Sequence, residues 1–260
     1  MWPGVLSYMP ELPEVEHARA HIAERALNRR ISGIDDADTF VCRPHAPGEI
    51  SAALVGAVLT QTHRRGKAMW VDTDRGPVLG LHLGMAGRIA IDEEPATRNW
   101  DRFTLLFEDG GRLALRDKRR LGRAVLDPDL RALGPDAAEV SRADFRERVG
   151  RGAAPLKARI MDQSVIAGVG NLLADETLWR AGLSPLLTAG DLDEEQLDSL
   201  RRALRAATRR AIARGGVHTG DLIRHRSRGG SCPSCGEALE RAAVGGRTTY
   251  WCPLHQPAPW

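Results

Sequence analysis

The sequence predicts an α+β protein with a β-rich first half, a helical second half and a small metal-binding segment at its end. Three observations support this prediction. Short segments rich in β-forming residues, separated by turns, fill the chain up to about residue 126. Segments with an apolar residue at every third or fourth position follow. Beyond residue 231, three of the four cysteines occur together with a histidine.

The first half is predicted to begin with a helix over residues 14–27, which carries one apolar face. Pro13 precedes this helix, where a missing N–H costs little. Four strands are predicted next, at residues 67–72, 78–83, 103–107 and 112–116. Turns rich in Asp and Gly separate them, which is typical of hairpins. We therefore predict a β-rich domain with a leading helix over residues 9–126, preceded by an extension of residues 1–8.

The second half is predicted to be helical after a linker at residues 127–141, which contains two prolines and no clear periodicity. Helix starts are predicted at Ser141, Asn171 and Asp193. The last two helices are predicted to stop at glycines, Gly182 and Gly215, and the long one has an acidic start and a basic end. These signals predict a helical domain at residues 142–224 and a terminal segment at residues 225–260.

The composition is that of a globular protein, with 42% hydrophobic and 27% charged residues and a net charge of +3. This charge is only weak evidence for a nucleic-acid partner. Of the 37 basic residues only Lys67, Lys118 and Lys157 are lysines, so each is a candidate for a role that a guanidinium cannot fill, although chance survival is an equal alternative. The sequence has no apolar run of membrane-spanning length and no secretory signal, so we expect a cytoplasmic protein with no membrane partner.

The terminal segment has the pattern C-x2-C-x16-C-x2-H. Two such pairs can place four ligands tetrahedrally around zinc, so we predict one structural Zn²⁺ in a zinc ribbon. The four predicted ligands are Cys232, Cys235, Cys252 and His255. Gly245 and Gly246 are predicted to form the hairpin tip, with Arg247 beside it. The alternative, four unrelated residues, fits the paired spacing poorly. Cys42 stands alone and is predicted to be a small buried apolar residue.

The string PELPEVE occupies residues 10–16, so it starts at Pro10 and not directly after Met1. Taken alone, Pro10 and Glu11 are typical of a helix N-terminus. Further strings follow in the chain: RRGK (64–67), HLGMAG (82–87), DKRRLG (117–122), LGP (133–135), LK (156–157), MDQ (161–163), GVGNLLADE (168–176) and RTTYWC (247–252). Together and in this order, they resemble the formamidopyrimidine-DNA glycosylase / endonuclease VIII family.

This resemblance implies a β-sandwich N-terminal domain, a helix-two-turn-helix domain and a zinc ribbon, in a monomer that acts on damaged double-stranded DNA. It also implies a bifunctional DNA glycosylase / AP lyase of base-excision repair. The implied catalytic residues are Pro10 as nucleophile, Glu11 as acid/base and Lys67 near the reacting nucleotide. The implied phosphate contacts are His82, Lys157, Asn171 and Arg247. The implied wedge, which fills the gap left by a flipped nucleotide, is Met85, Arg119 and Leu121. On local pattern alone, Met85 is typical of a core residue, His82 is typical of a half-buried strand residue, and Arg119 is typical of a solvated surface residue.

The position of Pro10 leaves two alternatives open. If the working chain begins at Pro10, its free secondary amine can attack a sugar carbon and form a Schiff base. If residues 1–8 are retained, the nitrogen is an amide, and the protein would bind abasic or damaged DNA without cutting it. A third hypothesis, a zinc-ribbon transcription or ribosomal factor, accounts for the cysteines but not for Pro10, Glu11 or Lys67.

Three further features depart from the family pattern. Only fifteen residues, 217–231, separate Gly216 from Cys232, where a longer loop usually caps an oxidised purine. Leu121 stands where purine-type members usually carry phenylalanine, and His255 replaces a cysteine. The missing cap favours oxidised pyrimidines or ring-opened purines as the excised bases.

Overall fold

A computed structural model describes residues 9–93 and 100–258, and it divides the chain into two compact units. Unit 1 contains Pro10 and Val15–Leu130, and unit 2 contains Glu11–Glu14 and the chain from Arg131 onward. The predicted extension, residues 1–8, lies outside the described residues.

The described residues form mixed helix and sheet, as predicted. The helices are α1 (Leu12–Arg25), α2 (Glu49–Leu54), α3 (Arg142–Val149), α4 (Leu156–Met161), α5 (Asn171–Ala181) and α6 (Glu194–Arg214). The strands are β1 (Ile31–Asp35), β2 (Leu59–Arg65), β3 (Ala68–Thr73), β4 (Leu79–His82), β5 (Arg88–Ile91), β6 (Asp101–Phe107), β7 (Arg112–Arg116), β8 (Arg123–Leu126), β9 (Glu240–Val244) and β10 (Arg247–Trp251).

Unit 1 contains two four-stranded antiparallel sheets, with the strand orders β1-β6-β7-β5 and β2-β3-β4-β8. Apolar side chains of both sheets form one core, including Met69 and Leu81 of one sheet and Phe103 and Leu113 of the other. The sheets therefore form the β-sandwich that the resemblance implied. Cys42 is buried in this core as predicted, and burial raises the pKa of its thiol to about 12.

The four predicted strands are present as β3, β4, β6 and β7, with shifts of one or two residues at their ends. The leading helix begins at Leu12, two residues earlier than predicted, so Pro13 lies inside its first turn and not before it. The N–H groups of a first turn have no intrahelical acceptor, so proline fits there equally well.

Unit 2 is built around α5, of which every residue from Leu172 to Trp179 is buried. The helix starts predicted at Ser141 and Asp193 are confirmed. The Ser141 hydroxyl accepts the backbone N–H of Asp144, and Asp193 forms a capping box with Gln196. α5 runs from Asn171 to Ala181, as predicted, and the glycines after α5 and α6 adopt the left-handed conformation of helix ends.

After α6, residues 217–231 include two short 3₁₀ turns, Val217–Thr219 and Ile223–His225, and most residues after Ile223 are exposed. Val217, Leu222 and Ile223 are buried in the apolar clusters of unit 2. The β9–β10 hairpin follows, with Gly245 and Gly246 at its tip in positive-φ conformations. Among the described residues, no helix is both long and apolar enough to cross a membrane.

Candidate functional site

The Glu11 carboxylate lies at the N-terminus of α5. It is 1% exposed and accepts backbone N–H groups from Gly170 (2.9 Å), Leu172 (2.8 Å) and Leu173 (3.0 Å). These N–H groups point out of a helix start, where they have no intrahelical acceptor and favour negative charge. A Cβ on Gly170 would lie 2.2 Å from Cδ of Glu11, so only glycine admits the carboxylate. The residue beside Pro10 is thereby fixed to the helix that begins at Asn171.

Glu14, a second acid of the PELPEVE string, joins the start of α1 to the segment after α6. Its carboxylate accepts the backbone N–H groups of Val217 (2.7 Å) and Glu11 (3.0 Å). Burial raises the pKa of Glu14, although the hydrogen bonds from Val217 and Glu11 oppose this effect. The sequence analysis assigned no role to Glu14, and its partner Val217 lies about two hundred residues away along the chain.

The raised pKa of Glu14 predicts a pH-dependent contribution to stability. Because the folded chain holds this proton more tightly than the unfolded chain, the contribution is fully present below 4.5, the ordinary pKa of a glutamate side chain. It is lost as the pH rises through the folded pKa. We expect Glu14→Gln to abolish this part of the decline, as measured by urea unfolding of both proteins from pH 4 to pH 8. Parallel pH profiles for the two proteins would contradict the assignment.

In unit 1, Pro10 is half-buried and lies two residues before α1, and Lys67 is half-buried in the turn between β2 and β3. Ala68, the next residue, pairs with His82 of β4. Burial and, secondly, the charge of Lys67 lower the pKa of His82. The His82 Nδ1 accepts the backbone N–H of Gly84 at 3.0 Å, so the neutral ring carries its proton on Nε2. The structure therefore places Lys67 and His82 close together, with His82 as a hydrogen-bond donor.

The three predicted wedge residues lie on two loops that touch. Met85 is half-buried on the loop after β4, whereas Arg119 and Leu121 (40% exposed) lie on the turn between β7 and β8. Gly84 is in a positive-φ conformation, and a Cβ there would lie 2.4 Å from the backbone carbon of Leu121. The first loop can approach the second only because this residue is glycine.

The prediction that Lys157 contacts a phosphate is not supported by its position, because its side chain is fully buried (0% exposed). Its ammonium group lies 2.7 Å from each of three oxygens, which belong to Asp175, Asn171 and Thr249. It donates hydrogen bonds to Asn171, to Thr249 and, at 3.4 Å, to the backbone oxygen of Thr248, and it forms an ion pair with Asp175. Lys157 therefore fixes Asn171 through its side-chain oxygen, which leaves the Asn171 amide N–H groups to donate elsewhere.

The same buried network joins α5 to the hairpin. Asp175 also accepts from Arg226 at 2.6 Å, and the Arg226 guanidinium lies over the ring of Tyr250. Arg226 also donates to the backbone oxygen of Thr248 in β10. Arg247, which begins β10, is exposed at the hairpin tip, as predicted. Asp175 and Arg226 were missed by the sequence analysis because an acid inside a helix and an arginine in a connecting segment carry no local signal.

The three predicted cysteine ligands come together, and their sulfurs all lie within 4.8 Å of one another. Tetrahedral zinc with Zn–S bonds of about 2.3 Å needs sulfurs roughly 3.8 Å apart, so the group suits this ion. The thiol of Cys232 is buried, which raises its pKa, but hydrogen bonds from the Trp179 indole and from backbone N–H groups lower it to about 7. This favours the thiolate, the form that binds metal, at Cys232, whereas burial raises the pKa of Cys252 to about 11.

His255 is not part of this three-cysteine group in the described chain. Its backbone N–H donates to the Cys252 sulfur at 3.3 Å, and its exposed ring lies 5.7 Å from the ring of Trp179. The turn after Cys252 is thus formed, and the His255 ring packs beside Trp179, whose indole donates to the Cys232 sulfur. The role of His255 as fourth ligand stays a prediction.

We expect His255→Ala to weaken zinc binding by more than about 10-fold and His255→Cys to restore it, because either imidazole or thiolate completes a tetrahedral site. Competition with a chromogenic chelator measures both affinities. Cys42→Ala serves as the control, since this cysteine lies in the core of unit 1. Unchanged affinity in His255→Ala would show that the fourth ligand lies elsewhere.

Comparison with known proteins decides the family. A model of the formamidopyrimidine-DNA glycosylase N-terminal domain matches residues 9–124, and a model of the formamidopyrimidine-DNA glycosylase H2TH domain matches residues 132–221. A formamidopyrimidine-DNA glycosylase of Chloroflexus aggregans is 34% identical over 95% of this chain and 98% of its own length. The chain belongs to the formamidopyrimidine-DNA glycosylase family.

Solved structures of this family agree over almost the whole chain. The MutM (Fpg) protein from Thermus thermophilus is similar with a TM-score of 0.81 and 33% identity, over 95% of this chain and 98% of that protein. A Lactococcus lactis Fpg, solved with DNA that contains Fapy-dG, is similar with a TM-score of 0.85 and 26% identity, over 95% and 100%. The predicted fold class is confirmed, and as a formamidopyrimidine-DNA glycosylase the protein is an enzyme of base-excision repair with glycosylase and AP lyase activity.

Proposed function

We propose that this glycosylase removes ring-opened purines and oxidised pyrimidines from duplex DNA through a Schiff base on Pro10. The observation that carries the proposal is the position of Glu11, next to Pro10, with its carboxylate held by three backbone N–H groups at the start of α5. An acid/base residue is thereby fixed to the helix whose first residue, Asn171, is a proposed phosphate donor. The proposed acid/base residue and the proposed phosphate contact are therefore both held at the start of α5.

In the proposed reaction, the Pro10 nitrogen forms a bond to the sugar C1′ as the bond between C1′ and the base breaks, and the base leaves with the electron pair of that bond and takes a proton from solvent. The Glu11 carboxylate takes the N–H proton from the alkylated nitrogen and gives it to the ring oxygen as the C1′–O4′ bond opens, which leaves an iminium ion. Because the nitrogen of a secondary amine has then lost its only proton, the ion stays cationic. The cation accepts the electron pair released when C2′ loses a proton, and the 3′ phosphate leaves.

This chemistry requires a free amine at Pro10. The nitrogen of a peptide bond is conjugated with its carbonyl group and cannot act as a nucleophile. We therefore propose that the active form begins at Pro10, and that residues 1–9 are absent from it.

The choice of base is proposed from the segment at residues 217–231. Val217, Leu222 and Ile223 are buried, and Glu176 accepts the backbone N–H groups of Asp221 and Leu222. These contacts fix the segment as far as Ile223, so only the few residues between Ile223 and Cys232 remain to cover a flipped base. Two solved relatives are complexes of a Lactococcus lactis Fpg with Fapy-dG DNA and of MutM with carbocyclic 8-oxo-G DNA. We propose that this enzyme prefers ring-opened purines and oxidised pyrimidines to 8-oxoguanine.

We also propose the remaining contacts. His82, Asn171 and Arg247 donate to DNA phosphates, and Lys67 lies near the reacting nucleotide. Met85, Arg119 and Leu121 enter the gap in the helix. One Zn²⁺ bound by the three cysteines and His255 stabilises the hairpin that carries Arg247, without a role in the chemistry.

A lesion panel tests the proposal. Protein that begins at Pro10 is incubated with duplexes containing formamidopyrimidine-guanine, thymine glycol or 8-oxoguanine, and borohydride traps the covalent product. We expect trapping on the first two substrates at rates more than about 10-fold above the third, which corresponds to about 1.4 kcal/mol of transition-state discrimination. Glu11→Gln is the matched control and should lose base removal on all three. Fast excision of 8-oxoguanine alone would overturn the proposed preference.

A further inference from the structure

The turn that carries Arg119 and Leu121 is organised around one buried carboxylate. Asp117 is fully buried, and it accepts the backbone N–H groups of Arg119 (2.9 Å), Leu121 (2.7 Å) and Gly122 (2.7 Å). Three charge-assisted hydrogen bonds to one side chain fix the path of the backbone through this turn. The two exposed wedge side chains therefore extend from a rigid backbone.

The same turn is locked from its other side by Arg120. Arg120 has a φ of +55°, which is unfavourable for a residue with a side chain. Its guanidinium forms two hydrogen bonds to the carboxylate of Asp38, at 2.9 and 2.8 Å, and lies 4.5 Å from the centre of the Phe40 ring. Asp38 itself is held by the backbone N–H groups of Phe40 and Val41. This ion pair, the Arg120–Asp38 lock, joins residues that are 82 positions apart in sequence, and it stabilises the strained conformation of Arg120.

We propose that Asp117 and the Arg120–Asp38 lock hold the wedge turn ready for DNA before a base pair opens. This inference rests on the proposed function of Arg119 and Leu121. Ordering a flexible turn during binding costs conformational entropy for each residue fixed, and a turn fixed in advance avoids this cost. Asp38, Asp117 and Arg120 are positioning residues in this proposal, since they act through the two wedge side chains.

The test compares one lesion in two settings, paired in a duplex and unpaired in a bulge, in single-turnover reactions of the chain that begins at Pro10. The variant is Arg120→Gly, which removes the lock while glycine tolerates the positive φ. A second variant, Asp38→Asn, weakens the lock from its other partner. Lys118→Ala is the matched control, because it removes one charge from the same turn and leaves the lock intact.

We expect both lock variants to act about 10-fold more slowly on the paired lesion and within about 2-fold of the parent on the bulged one, because only the paired lesion needs the wedge to open the helix. The control should match the parent on both substrates. Equal losses on both substrates, or no loss on the paired lesion, would overturn the positioning role. If the parent protein acted on neither substrate, the proposed function itself would fail.

Discussion

Protein that begins at Pro10 should give a borohydride-trapped covalent complex with duplex DNA containing an abasic site, and protein that begins at Met1 should give none. The reason is the state of one nitrogen atom. A terminal amine has a typical pKa of about 7.7–8.0, so a substantial fraction is unprotonated and nucleophilic near neutral pH. An amide nitrogen has no available lone pair. We expect the difference in trapping rate to exceed about 1,000-fold, which corresponds to about 4 kcal/mol of activation free energy.

Two controls make this comparison specific. A chain that begins with glycine in place of Pro10 has a primary amine and should trap more slowly than the parent, but measurably. The Met1 form should still bind the abasic duplex, because the proposed phosphate donors His82, Asn171 and Arg247 are unchanged. Equal trapping of both chain forms would mean that another amine, with Lys67 the first candidate, is the nucleophile. Intact mass of the protein isolated from its native source would then show which form the cell makes.

The elements that were predicted correctly carry their signals within a few residues. Ser141 caps α3, Asp193 forms a capping box, and Gly215 ends α6, and each of these contacts is local. By contrast, β2 is largely polar and only four residues form β8, so neither shows an alternating pattern. Their conformation depends on β3 and β4, with which they pair. Strands of this kind are determined by the sheet and not by their own residues.

In the candidate site, too, the residues with a local sequence signal were predicted, and those whose contacts are distant in sequence were not. The cysteine spacing predicted the sulfur cluster because knuckle ligands are neighbours in sequence. The scarcity of lysine made Lys157 a candidate for a special role, with chance survival as an equal alternative, but its partners Asn171 and Thr249 lie 14 and 92 residues away. Nothing local distinguishes an ammonium that binds phosphate from one that is buried among protein oxygens. The Arg120–Asp38 lock was missed for the same reason.

Lys157→Met should destabilise the protein by about 3–5 kcal/mol, because it leaves the buried carboxylate of Asp175 without its ammonium partner. Arg226 remains beside Asp175, which places the expected loss toward the lower end of that range. Urea unfolding followed by tryptophan fluorescence measures the loss, since Trp179 and Trp251 lie in unit 2. Lys118→Met, at an exposed lysine, is the matched control and should change stability by less than about 0.5 kcal/mol.

The same variant separates a positioning role from a phosphate contact. A lysine that binds a phosphate contributes about 0.9 to the slope of log affinity against log salt concentration, and its loss should reduce the slope by that amount. Lys157 instead fixes the uncharged side chain of Asn171, so Lys157→Met should weaken binding to an abasic duplex and leave the slope unchanged. For the same reason, Lys157→Met should add little to the loss already caused by Asn171→Ala, because both variants remove one interaction with DNA. A reduced slope with additive losses would instead mean that Lys157 leaves its buried site to meet the phosphate directly, at the cost of breaking its ion pair with Asp175.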